Sequence, residues 1–138
     1  MKNNDLAADY VRRAAVRLRA ITVLFAGESW ADVVRESQEA VELCLKALLR
    51  ASGVEAPRIH DVSEVLLAER ARLPAGAQPD LDRLAHISRS LRRDRELAFY
   101  GAEDLTPSSF YSREDAAAAF DGARFVLETV QPLVPGRP

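Results

Sequence analysis

Between residues 11 and 25, apolar side chains recur at steps of three and four: Val11, Ala14, Ala15, Leu18, Ile21 and Phe25. A strand alternates every second residue, so this spacing sets one apolar stripe along a helix. It predicts a helix from about Asp5 to Ala26, stopped by Gly27. The same period returns further on. Trp30, Val33, Val34, Ser37, Val41, Cys44, Leu45 and Leu48 mark a second helix over roughly 30–52, ended by Gly53. Leu81, Leu84, Ile87 and Leu91 mark another over roughly 79–98. Ala116, Ala119, Phe120, Ala123, Val126, Leu127 and Val130 mark the last. Four helices that each carry one stripe bury them most simply as an all-α, up-and-down four-helix bundle.

The residues between the stripes supply the punctuation. Ser29 stands where an N-cap belongs, with Asp32 three residues on, and its hydroxyl is expected to accept from the Asp32 backbone N–H. Asp61 followed by Glu64 has the spacing of a capping box, and predicts one additional short helix carrying Val62, Val65 and Leu66 to about Arg72. Pro79 suits a first helical turn. Residues 101–111 read as a loop, and Ser112 with Asp115 caps the final helix. Pro132, Pro135 and Pro138 oppose continuation, which divides the chain into a domain over 1–131 and a flexible tail over 132–138.

A chain of 138 residues is long enough for one self-sufficient core. Its formal net charge of -2 implies no global pull on nucleic acid, which leaves only local basic patches. Cys44 is the single cysteine, so an intramolecular disulfide and a cysteine-built zinc site are both excluded. The start, MKNNDLAADYVRR, does not read as a secretory signal, and no apolar run approaches the roughly 20 residues of a membrane span. A soluble, cytoplasmic protein is expected.

The stretch RRDRELAFYG, residues 92–101, concentrates the chemistry. On a helix Arg89, Arg92 and Arg93 share a face, with Arg95 beside Arg92. Such a cluster is either a solvated helix end, where cations favour the negative pole, or a surface whose guanidinium forks grip phosphate. Tyr100 lies two turns beyond Arg93, placed to join a phosphate or base site or to close the core. On the second helix Gln38, Glu42 and Lys46 share a side, with Glu42 and Lys46 in the favourable ion-pair order. His60 at a helix start suits packing and capping better than acid–base work. His86 reads as a surface or interface residue. The two histidines lack metal-ligand spacing, so no metal is expected; no cofactor is expected either. Glycine-rich phosphate loops and nucleophile elbows are missing from the sequence.

Three segments carry a family resemblance. YVRRAAVRLRAI resembles the opening helix of HEPN domains (higher eukaryotes and prokaryotes nucleotide-binding). SWADVVRESQEAVELCLKALLRASGVEAPRIHDV resembles the family's most recognisable segment, a helix followed by a proline and a His-Asp pair. FYSREDAAAAFDGARFVLETV resembles its last helix. The resemblance implies a compact helical bundle, usually a homodimer. Many members are ribonucleases, here a metal-independent endoribonuclease if active, others are toxins paired with a minimal nucleotidyltransferase antitoxin, and some do no chemistry.

The family's ribonuclease motif is an arginine, four to six residues, then a histidine, with a tyrosine two further on in toxin members. By that resemblance Arg93 takes the arginine place, Ala98 the histidine place and Tyr100 the tyrosine place. Alanine moves no proton, and losing a general acid–base group costs about 10²–10⁴-fold. The resemblance therefore favours a nucleotide-, RNA- or partner-binding module over an enzyme. Arg89, Arg92, Arg93, Arg95 and Tyr100 would hold phosphate, and Gln38, Glu42, Lys46 and His60 would support them. A nucleotidyltransferase-like partner in a toxin–antitoxin or defence system is expected with it. A toxin-type endoribonuclease with a divergent site, in which Arg93 and Tyr100 act, and a ligand-free helical adaptor are the alternatives. Trp30, Phe99, Phe110 and Tyr111 are the aromatics expected to serve a homodimer interface.

Overall fold

The computed structural model describes residues 2–100, 106 and 110–136, with side chains from residue 4 and, on the fourth helix, as far as residue 92. Among the described residues the regular elements are all helices: α1 (Lys2–Ala26), α2 (Trp30–Ala51), α3 (Ser63–Ala68), α4 (Leu81–Tyr100) and α5 (Arg113–Val130). Four long helices and one short one match the expected bundle.

The bundle is organised around α2, which packs against α1, α4 and α5. A single stripe does not suffice for that position. Ala31, Ala40, Ala47 and Leu49 are buried as well as the expected Val33, Val34, Val41, Cys44, Leu45 and Leu48. Burial around most of the circumference is what a helix with three neighbours requires. Alanine at 31, 40 and 47 lets those neighbours approach. Between α1 and α2, Glu36 accepts from Arg17 at 2.6 Å and from Arg35 at 3.0 Å.

The α1–α2 turn is built differently from the sequence expectation. Ser29 N–H donates to the Leu24 carbonyl and Glu28 N–H to the Phe25 carbonyl, both at 3.0 Å, a Schellman closure. The left-handed residue is Glu28, φ 59°, rather than Gly27. Ser29 does not cap α2, for its hydroxyl donates to the Asp32 carboxylate at 2.6 Å. At the other end of α2 the expectation holds. Gly53, φ 78°, takes the left-handed position, and Val54 N–H reaches back to the Leu49 carbonyl at 2.9 Å.

Asp61 does not form a capping box either. Its carboxylate accepts from Ser63 N–H at 2.9 Å, an Asx turn, and α3 begins after Val62. Beyond α3, Arg70–Arg72 and Ala75–Asp80 are 3₁₀ turns, so Pro79 precedes α4 instead of opening it. Ser112 and Asp115 do form the reciprocal box at the start of α5. Packing continues past residue 131: Gln131–Leu133 is a 3₁₀ turn, and Val134 is buried in the core.

Candidate functional site

Glu42 is the centre of the polar chemistry. It projects from α2 at the edge of the core with 14% of its side chain exposed. Lys46, one turn on, donates to Oε2 at 2.8 Å. Gln38, one turn back, donates from Nε2 to Oε1 at 3.3 Å. The Nδ1 of His60, from the loop before α3, lies 2.7 Å from the same Oε1. Burial raises the Glu42 pKa, but hydrogen bonds and charge from Lys46 and His60 outweigh it and hold the carboxyl below its ordinary range. Glu42 is thus an ionised carboxylate fixed by three side chains.

Gln38 is buried, 2% exposed, and one of its polar atoms, Oε1, has no hydrogen-bond partner among the described residues. An unsatisfied buried carbonyl costs about 1–3 kcal/mol.

The loop that brings His60 is fastened to α4. Ser88 Oγ accepts from Val62 N–H at 3.2 Å and donates to Asp61 Oδ1 at 3.1 Å. Ser88 is buried, and it was not singled out from the sequence. Its signal was a serine one turn after Leu84, inside the apolar stripe of α4. Arg92 stands one turn beyond Ser88 on the same side of α4 and is half-buried. Arg89 is exposed. The side chains of Arg93, Arg95, Ala98 and Tyr100 lie outside the described residues, although α4 is helical as far as Tyr100.

Of the four supporting residues expected from the sequence, three therefore meet on the carboxylate of the fourth, Glu42. His60 packs there and does not cap α3. His86 belongs elsewhere: it is exposed on α4, 3.4 Å from Ser90 Oγ, beside a groove with Asp115, Ala118 and Gly122 of α5. Two of the aromatics reserved for an interface are used inside the chain. Tyr111 is buried in the core, and Trp30 packs edge-on against Phe25 at 4.9 Å, with the Arg113 guanidinium 5.0 Å from its ring. Phe110 is partly exposed, and the Phe99 side chain lies outside the described residues. Among the described residues no group of three acidic, histidine or cysteine side chains is placed to hold a metal, and no helix is long and apolar enough to cross a membrane.

The family model described as HEPN domain matches residues 7–133. No curated protein and no solved structure matches the chain.

Proposed function

The chain belongs to the HEPN domain family, and from that premise we propose that it is a nucleotide- or RNA-binding module that grips phosphate without cleaving it. One observation carries this reading. Gln38, Lys46 and His60 converge on Glu42, beside a loop that Asp61 and Ser88 fasten to α4 one turn before Arg92. In that arrangement Glu42 holds Lys46 and His60 in place. The α4 arginines, Arg89, Arg92, Arg93 and Arg95, supply the charge that a phosphate needs. Ala98 at the motif's histidine place removes the usual proton carrier. A homodimer acting with a nucleotidyltransferase-type partner in a toxin–antitoxin or defence setting completes the proposal.

Isothermal titration with ATP and with single-stranded RNA tests it. Binding is expected, with RNA left intact. Arg92→Ala should weaken binding about tenfold, as loss of a charge-assisted hydrogen bond does, and lower the salt slope by about 0.7. Absence of binding to either ligand would sink the proposal.

A second reading rests on the His60–Glu42 pair. A carboxylate on one ring nitrogen orients an imidazole for proton transfer, and the His60 side chain is 42% exposed. Endoribonuclease activity would then run through His60 instead of residue 98. RNA cleavage that disappears in His60→Gln while binding persists would establish it.

A further inference from the structure

The outward face of α1 carries a pattern that neither the core nor the α2–α4 site uses. Val16 and Val23 stand seven residues apart on it, 43% and 72% exposed. Ala20, also exposed, lies between them, so the three form one apolar ridge. Arginines border the ridge on both sides, Arg12 and Arg19 along one edge, Arg13 and Arg17 along the other. Arg12, Arg13 and Arg19 are exposed. Arg17 is tied back to Glu36, and Asp32, Arg35 and Glu36 of α2 line the hollow beside Ala20 and Val23, so the basic border at the Val23 end is Arg19. Asp9 pairs with Arg12 at 3.1 Å, where the ridge would otherwise continue toward the N-terminus.

An apolar seam with charged borders is how one helix selects another in side-by-side pairing. Three occupants compete for this one. A second copy that laid α1 on α1 would set arginine against arginine. Its acidic stripe on α5, Glu114, Asp121 and Glu128, matches the charge but not the ridge, for no large apolar side chain is exposed there among the described residues. Phe125 beside that stripe is covered by the Arg83 guanidinium, 3.7 Å from its ring centre. A nucleic-acid backbone would match the arginines and leave Val23 without a partner. An acidic amphipathic helix satisfies both.

We infer that the outward face of α1 docks an acidic amphipathic helix of a different protein, its apolar seam on Val16, Ala20 and Val23 and its carboxylates on Arg12, Arg13 and Arg19. The ridge from Val16 to Val23 spans about 10 Å of helix, so the contact engages two to three turns of the partner. None of its residues is among those proposed to hold phosphate.

The test uses the full chain and synthetic helical peptides in fluorescence anisotropy. One peptide has a leucine seam bordered by glutamates, and the other has the same seam bordered by lysines. The glutamate peptide is expected to bind at least about tenfold more tightly than the lysine peptide. Val23→Asp should abolish that binding, and the Arg12→Glu/Arg19→Glu variant should reverse the preference. All three positions are exposed, so the variants should melt with the unsubstituted chain, which separates lost docking from lost folding. Equal binding of the two peptides, binding of neither, or no reversal in the double variant overturns the inference. Displacement of the glutamate peptide by a short uridine oligonucleotide also overturns it, and assigns the face to nucleic acid.

Discussion

The Nδ1 of His60 and the Oε1 of Glu42 lie 2.7 Å apart across eighteen residues of sequence. The pair joins the central helix to the loop before α3, so it belongs to the stability of the fold as well as to the site. Replacing the carboxylate tests both roles. Glu42→Gln should destabilise the chain by about 2 kcal/mol at neutral pH, because Lys46 and His60 lose a charged acceptor. The effect has a defined pH dependence. Burial pushes the Glu42 pKa up, but Lys46 and His60 hold it below the ordinary 4.5. A carboxyl depressed on folding contributes fully above its unfolded value, and that contribution fades as pH falls through the folded one. In urea titrations, the lead of the unsubstituted chain over Glu42→Gln should therefore shrink below pH 4.5. A lead that stays constant through that range contradicts this account.

Gln38 should behave in the opposite sense. Its buried Oε1 lacks a partner among the described residues, and its bond to Glu42 is long at 3.3 Å. Gln38→Met keeps the volume and removes the orphaned carbonyl. A gain of about 1 kcal/mol is expected in chemical unfolding. Under the proposed function the same variant should bind nucleotide more weakly, since Glu42 loses one of the donors that fix it. A loss of stability would show that Gln38 is better satisfied than its contacts indicate.

Glu28 occupies a left-handed backbone position, φ 59°, where a side chain is costly. Glu28→Gly should raise stability by about 0.5 kcal/mol, the relief of strain offset in part by a looser unfolded chain. The expected change in Tm is on the order of 2 °C. A lower Tm would mean that the Glu28 side chain contributes more than its backbone costs.

Two serines with the same downstream aspartate should respond differently. Ser112→Ala breaks a complete capping box and should cost about 1 kcal/mol. Ser29→Ala removes only a hydroxyl-to-carboxylate bond at an exposed turn and should cost a few tenths, on the order of a surface contact. Equal losses in thermal melts would show that Ser29 caps α2 in solution.

That contrast shows where the sequence could be read and where it could not. Ser-x-x-Asp is the same local text at 29 and 112. Capping depends on the backbone that precedes it, ψ 71° at Ser29 and 172° at Ser112. The tight Schellman turn through Glu28 leaves Ser29 in the wrong conformation, and nothing local announces it. The helices themselves were legible because leucine, valine and isoleucine mark a stripe. The centrality of α2 was not, since Ala31, Ala40 and Ala47 suit a buried or an exposed face equally well. In the site, Glu42 and Lys46 were a visible pair one turn apart. The arrival of His60 depends on how the loop after Gly53 folds back and on Ser88 holding Asp61. Those are tertiary facts with no sequence period.

The placement of Glu42 on α2 has an evolutionary consequence. A helix enclosed by three others tolerates few substitutions, because changes to its buried residues open cavities or overfill the core. Of the site residues on that helix, Gln38 is enclosed at 2% exposed, whereas Glu42 and Lys46 stand at the edge of the core, 14% and 16% exposed. Change is tolerated more readily around them, in the loop that carries His60 and at the exposed Arg89 of α4. Substitutions are thus expected to accumulate on that rim sooner than among the enclosed residues of α2.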